Sequence, residues 1–193
     1  MHNAFEFLIR SIFGFFILLL LARFYLQAAK VSFRHPLGQF VLALTNWAVL
    51  PTRRILPALK NYDSSSLVLA WLSALGMQIL LFTITPFTYV FFAIEPILAL
   101  SLSAVLELIK MSFNLLFFAI IGQILMSWLS PYNPSLAIIN SLTAPFLRPI
   151  QKIIRPISGV DISPFILILL IQFCLLFVPA LEQSILQHVV MKN

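Results

Sequence analysis

Four apolar runs in this chain are long enough to cross a hydrocarbon core, and they limit what else it can fold into. Crossing takes about 20 residues of helix at about 1.5 Å per residue. The candidates are Phe5–Ala29, Ser66–Ile84, a third within Pro96–Leu129 whose apolar heart is Met111–Trp128, and Pro164–Gln183. Pro164 follows Ser163 and suits a first helical position, where its missing N–H is no loss. Charge points the same way. Asp, Glu, Lys and Arg make up 9% of the 193 residues, whereas soluble domains carry about a quarter. So few charges cannot coat a water-facing surface. The expected fold is all-α: a polytopic membrane protein with four transmembrane helices.

Two apolar details bear on the count. The first run follows Arg10 as a signal peptide would. Yet Glu6 mixes the charge, apolar character continues past Arg23, and no small-x-small cleavage site follows, so it reads as a retained span. Phe87–Ile94 and Ile97–Leu106 are also apolar. They either extend the second and third helices or form a short hairpin around Glu95-Pro96.

The connectors are unusual. Leu37–Leu50 and Ser135–Leu147 are mostly apolar, short for spans, and followed by Pro-rich basic sequence. Runs of this kind suit interfacial or re-entrant helices. Shifting the chain by 98 residues lays Pro36 on Pro134, Leu44-Thr45 on Leu142-Thr143, Pro51 on Pro149 and Arg54-Ile55 on Lys152-Ile153. It also lays Asp63 on Asp161 and Ser65 on Ser163. Matches at polar and proline positions mean more than shared Leu or Phe, which lipid exposure alone would produce. The chain therefore reads as two tandem repeats, residues 1–95 and 96–193, each with two spans. Two spans return the chain to its starting side, so the repeats are expected to be parallel. Inverted repeats, common in transporters, need a different arrangement.

Orientation follows from the cations. Lys30, Arg34, Arg53, Arg54 and Lys60 lie in the first connector, and Arg148, Lys152 and Arg155 in the second, while Thr83–Ile97 carries none. The positive-inside rule places both connectors in the cytoplasm and both termini outside. The net charge of +6 is explained this way, and no nucleic-acid binding is expected.

The densest pattern is Thr143-Ala-Pro-Phe-Leu-Arg148-Pro149-Ile-Gln-Lys152-Ile-Ile-Arg155-Pro156, then Asp161-Ile-Ser163-Pro164. Its echo runs from Thr45 through Pro51, Arg53, Arg54 and Pro57 to Asp63 and Ser65. This pattern resembles the YggT (YlmG) family of small bacterial and plastid membrane proteins, in its two-repeat proteobacterial form. Gln151 departs from it where a second basic residue is common, and the first copy has Leu50 at the motif Arg and Ser66 at the final Pro. Any role of those groups is therefore expected to rest on the second copy. The resemblance implies an integral membrane protein without assigned catalysis. It also brings loose links to osmotic stress tolerance, cell division or nucleoid organisation, and cytochrome assembly.

The residues suggest contact roles rather than chemistry. Pro145, Pro149 and Pro156 should deny a continuous helix. Arg148, Lys152 and Arg155 recur at helical spacing and, with Arg53 and Arg54, are candidates for touching anionic headgroups or a partner protein. Asp63, Ser65, Asp161 and Ser163 precede spans, where acids and hydroxyls cap helix N-termini, and Pro149 and Pro164 complete the structural motif. A sharper alternative pairs Asp161 with Arg155 at a central crevice. Arg23 should snorkel to the interface, and Glu107 should pair with Lys110 near the outer surface. Gln78, Asn114, Gln123 and Gln172 read as interhelical hydrogen-bonding glue, or else as a polar path.

His2, His35 and His188 show no metal-ligand spacing, Cys174 stands alone, and no phosphate loop or carboxylate pair occurs. No catalytic residue, metal or cofactor is expected. The leading expectation is a non-enzymatic scaffold or assembly factor acting through lipid or protein contacts. The alternative is a participant in ion or osmolyte movement.

Overall fold

A computed structural model describes residues 2–55, 63–84, 94–154 and 161–190, and these are helical apart from short turns. Six helices follow in order: α1 (His2–Ala28), α2 (Pro36–Ile55), α3 (Ser64–Ile84), α4 (Ile94–Leu129), α5 (Pro134–Ile153) and α6 (Ser163–Val190). α1, α3, α4 and α6 are the four described helices long and apolar enough to cross a membrane. Ile97–Leu106 joins α4 as part of one 36-residue helix, and Pro96 falls in its first turn, where proline is tolerated. Residues 87–93 of the other unplaced segment lie outside the described residues, as do Arg155 and Pro156.

The ends of the helices are set by local chemistry. At the end of α1, Val31 N–H donates to Leu26 O at 3.0 Å and Lys30 N–H to Gln27 O at 2.9 Å. Those are the two bonds of a Schellman cap, and Leu26 packs with Val31 as that motif favours. The left-handed position falls on Lys30, φ 54°, rather than on the usual glycine. α5 opens on Asn133, whose side chain accepts from Ser135 N–H at 2.9 Å, with Pro134 next. His35 does the same for α2, its Nδ1 accepting from Leu37 N–H at 3.3 Å. Gly38 then lets the preceding turn lie against the helix, since a Cβ there would meet Phe33 Cα at 2.8 Å.

Pro51, Pro145 and Pro149 do not break the described connector helices, while Pro57 and Pro156 lie outside the described residues. α2 continues through Pro51, and α5 through Pro145 and Pro149, each for 20 residues. This corrects the expectation of a Pro-broken segment at these positions. Each proline removes a bond to the carbonyl four residues earlier. Those carbonyls belong to Trp47, Ser141 and Pro145, all on the exposed side together with the prolines themselves, where water or headgroups can meet them.

α2 and α5 turn different faces outward. Gly38, Val41, Thr45 and Val49 of α2 are buried, while Leu37, Phe40, Leu44 and Trp47 form an exposed apolar row. A helix that is apolar on its exposed row and mostly apolar inside, with Thr45 its one buried polar side chain, suits immersion in lipid. α5 buries Thr143 and Leu147 and exposes Asn140, Ser141, Arg148 and Lys152, a face suited to water. The two starts adjoin: His35 Nε2 lies 3.3 Å from Ser135 Oγ. Because Nδ1 accepts a bond, the ring proton belongs on Nε2, which donates to the serine.

Among the described residues two apolar clusters join the spans to one another, and a third, of Leu19, Leu26 and Val41, seats α2 on α1. The first combines Ile17, Leu20 and Leu21 of α1, Val49 of α2, Ala70 and Ala74 of α3, and Ala104 and Leu108 of α4. The other joins Leu116 and Ile120 of α4, Leu147 of α5, and Leu167 and Ile171 of α6. Small Ala side chains let α3 and α4 approach closely, which is how helices gain contact where lipid removes the hydrophobic drive. The first core thus draws residues from both sides of the sequence boundary at 95/96.

Candidate functional site: a buried polar centre

Where α1 ends, α2 ends and α3 begins, three charged side chains meet. Arg23 sits two turns before the end of α1, Arg53 in the last turn of α2, and Asp63 just before α3. Arg53 Nη2 lies 2.6 Å from Asp63 Oδ2 and its Nε 3.3 Å from Oδ1, a two-point contact that fixes the carboxylate plane. Arg23 Nε reaches Oδ2 at 3.3 Å. Its Nη1 donates to Thr45 Oγ1 at 2.8 Å and to Asn46 Oδ1 at 2.9 Å. Ser66 Oγ donates to Asp63 Oδ2 at 2.7 Å, and Arg53 Nη2 touches Gln27 Oε1 at 3.5 Å. The Arg23 side chain is 3% exposed, Asp63 0% and Arg53 36%, so the centre is closed inward and open at Arg53.

Burial of a charge requires partners, and breaking such a pair is costly. For Asp63, burial works to raise the carboxyl pKa. The hydrogen bonds from Arg53 and Ser66 and the charges of Arg53 and Arg23 outweigh it and hold the group below its ordinary 3.8. Asp63 thus stays ionised, and its backbone carbonyl also accepts from Ser66 N–H at 3.1 Å to start α3. Ser65 is buried one step along the same turn.

The second half builds the same junction with neutral side chains. Thr143 lies 98 residues after Thr45, and its Oγ1 is 2.7 Å from Gln123 Oε1. Gln123 thereby fills on α4 the place that Arg23 fills on α1. Gln151, which follows Arg53 at the same spacing, donates to Asp161 Oδ2 at 2.8 Å. Asp161 Oδ1 accepts from Ser163 N–H at 2.9 Å at the start of α6, beside Pro164. Burial works to raise this carboxyl too, while hydrogen bonding from Ser163 and Gln151 holds it low. Unlike Asp63, Asp161 is exposed and has no cation beside it among the described residues.

The structure sorts the sequence candidates. Arg53 is occupied by Asp63. Arg54, Arg148 and Lys152 are exposed and form no contact with another side chain among the described residues, and Pro149 lies on that same outer side. Arg155, and with it the Asp161–Arg155 pairing, lies outside the described residues; Asp161 meets Gln151 and Ser163. Arg23 does not snorkel, being 2% exposed and paired. The ion-paired centre belongs to the first copy and does not use the motif Arg or the final Pro, the groups that the second copy alone carries as Arg148 and Pro164. Ser66, read as a departure from the motif, is one of its donors. Sequence reading missed Gln27, Thr45 and Asn46 as members, while Gln123, read as interhelical glue, bonds Thr143 between α4 and α5. The available signal was Arg23, an arginine inside an apolar run, together with the Thr45/Thr143 and Asp63/Asp161 matches.

Other polar groups pair locally. Lys110 Nζ contacts Glu107 Oε2 at 3.1 Å, with Glu107 nearly buried, and Gln78 donates to Glu182 at 3.3 Å. Gln172 is exposed. No group of three or more metal-binding side chains occurs among the described residues.

Comparison with known proteins adds lineage. The sequence pattern of the CCB3/YggT family matches residues 2–84 and again 102–181. An uncharacterized protein from the proC 3′ region of Vibrio alginolyticus is 33% identical over 172 residues, 89% of this chain and 91% of the relative. The uncharacterized protein YggT of Escherichia coli strain K12 is 31% identical over 170 residues, 88% of this chain and 86% of its own length. The uncharacterized protein PA0392 of Pseudomonas aeruginosa is 29% identical over 166 residues, 85% and 82% of the two chains. No solved structure matches.

Proposed function

From the premise that this chain belongs to the CCB3/YggT family, we propose that it is a non-enzymatic, multi-pass protein of the bacterial inner membrane. It works by holding lipid headgroups and a partner membrane protein at its basic face. The observation that carries this reading is the exposed polar side of α5. Arg148 and Lys152 stand there beside Asn140 and Ser141, with no partner among the described residues. Arg54 adds a cation at the end of α2, and the His35–Ser135 contact brings the starts of α2 and α5 to one side. By the positive-inside rule that side is cytoplasmic and the termini are periplasmic. The second match of the family pattern and the 98-residue spacing of α2 and α5 support two tandem parallel repeats.

Ion or osmolyte movement, the second reading, would need a polar file through the bundle. Between Arg23 and Gln78 the inner faces present Ile17, Leu20, Leu21, Ala70 and Ala74, and beyond them Gln78 pairs with Glu182 and Glu107 with Lys110. The apolar stretch between Arg23 and Gln78 favours contact over conduction, although Ser103 Oγ is buried there without a partner among the described residues.

Photo-activated cross-linkers placed in cells at Ser141 and Lys152, with Phe173 on the lipid-facing side of α6 as reference, test the proposal. A discrete adduct from the two α5 positions and none from Phe173 is expected. Equal background at all three, together with ion flux through liposomes holding the purified protein, would overturn it.

A further inference from the structure

The charges of the first polar centre do not balance. Two guanidiniums, Arg23 and Arg53, face one carboxylate, Asp63. The other acids whose side chains are described are engaged elsewhere: Glu6 with Arg10, Glu107 with Lys110, Glu182 with Gln78, and Asp161 with Gln151. Among the described residues, no second carboxylate reaches either arginine. The buried Arg23–Asp63 pair is neutral by itself, so the excess positive charge falls on Arg53 at the open edge, where an anion can meet it.

The place where such an anion can enter is also given. Arg23 and Asp63 are sealed, but Arg53 is 36% exposed. Its Nε and Nη2 serve Asp63 and Gln27, while Nη1 has no acceptor among the described residues. Arg54 follows it and is exposed. The centre lies where the spans in α1 and α3 end, the level at which headgroup phosphates meet a bilayer's core. Guanidinium groups match phosphate oxygens in geometry as well as charge.

We propose that the Arg23–Asp63–Arg53 centre binds one phosphate-class anion at the open edge of Arg53, neutralising the charge that Asp63 leaves over. The second half provides an internal contrast. There neutral Gln151 meets Asp161 and neutral Gln123 meets Thr143, so among the described residues no guanidinium stands at that junction to hold the same ligand. The proposal deepens the contact reading and rests on it only for the source of the anion, a lipid headgroup or free phosphate.

The test uses the full chain in phosphatidylcholine nanodiscs, probed with phosphatidylglycerol in one arm and inorganic phosphate in the other. Lipid retention is read by native mass spectrometry and phosphate binding by thermal shift. Wild type is expected to retain one phosphatidylglycerol, and Arg53→Gln to weaken retention about tenfold or more, as loss of a charge-assisted contact implies. Arg34→Gln, a single exposed cation outside the centre, should stay within about twofold, far below that loss.

A thermal shift with phosphate alone that Arg53→Gln abolishes also supports the site and assigns it a soluble ligand. Equal losses in Arg53→Gln and Arg34→Gln would overturn the site and leave a diffuse basic surface, so the contact reading would survive. Absence of any bound anion in wild type would overturn the site, and absence of lipid contact with it would weigh against both. Should Arg53→Gln fail to fold, the double variant Gln123→Arg with Gln151→Arg decides. It should retain a second phosphatidylglycerol, and retention of only one would overturn the proposal.

Discussion

Among the described acids Asp63 carries the most of the fold, because it alone of them faces two arginines while fully buried. Asp63→Asn would leave those guanidiniums facing each other without compensation. The expected loss is about 3 kcal/mol, read as denaturation in mild detergent. Asp161→Asn, at an exposed residue held by neutral partners, should melt close to wild type.

The pH dependence of Asp63 has a definite sign. Its folded pKa lies below the ordinary 3.8, so the unfolded chain takes up the proton first. The stability it provides is present above that value and lost as pH falls through the folded one. Melting temperature should therefore hold from neutral pH to about pH 4 and fall below it, and Asp63→Asn should flatten part of that acid limb. Lys30, held at positive φ, is a smaller matter. Lys30→Gly should stabilise by about 0.5–1 kcal/mol by relieving the left-handed strain, with wild-type melting as the reference.

Among the elements, the four spans were legible because their signal is length and apolarity, which survive any detail of packing. Helices α2 and α5 were only half legible. Their apolar runs announced a membrane-surface character, but Pro145 and Pro149 suggested breaks that do not occur. Whether a proline breaks a helix depends on where the freed carbonyl points, and a single sequence does not give that direction. Nor did it reveal that α2 turns Leu37, Phe40, Leu44 and Trp47 outward while α5 turns out Asn140, Ser141, Arg148 and Lys152. This difference is testable with Cys174→Ser as background. A cysteine at Ser141 should react readily with a water-soluble maleimide, and one at Phe40 should react slowly until detergent is added. Equal reactivity in membranes would mean that α2 is not immersed.

At the scale of the molecule, the 98-residue spacing made the two junctions legible as positions but not their difference in charge. Arg23 and Gln123 occupy apolar runs where most neighbours carry no register, so their equivalence emerges only when Thr45 and Thr143 are seen to bind them. The halves also lean on each other, since Ala104 and Leu108 of α4 complete the first core and His35 meets Ser135. Cysteines introduced at those last two positions should be joined by a short bifunctional thiol reagent in native membranes, within one chain.

The central claim is that Arg53 and Asp63 act as one unit that pins the end of α2 to the spans in α1 and α3. A double-mutant cycle of Arg53→Gln and Asp63→Asn, followed by unfolding in detergent, measures this directly. The pair should show a coupling of about 1–3 kcal/mol, the double variant losing far less than the two single losses combined. Losses that add to within about 0.5 kcal/mol would contradict it.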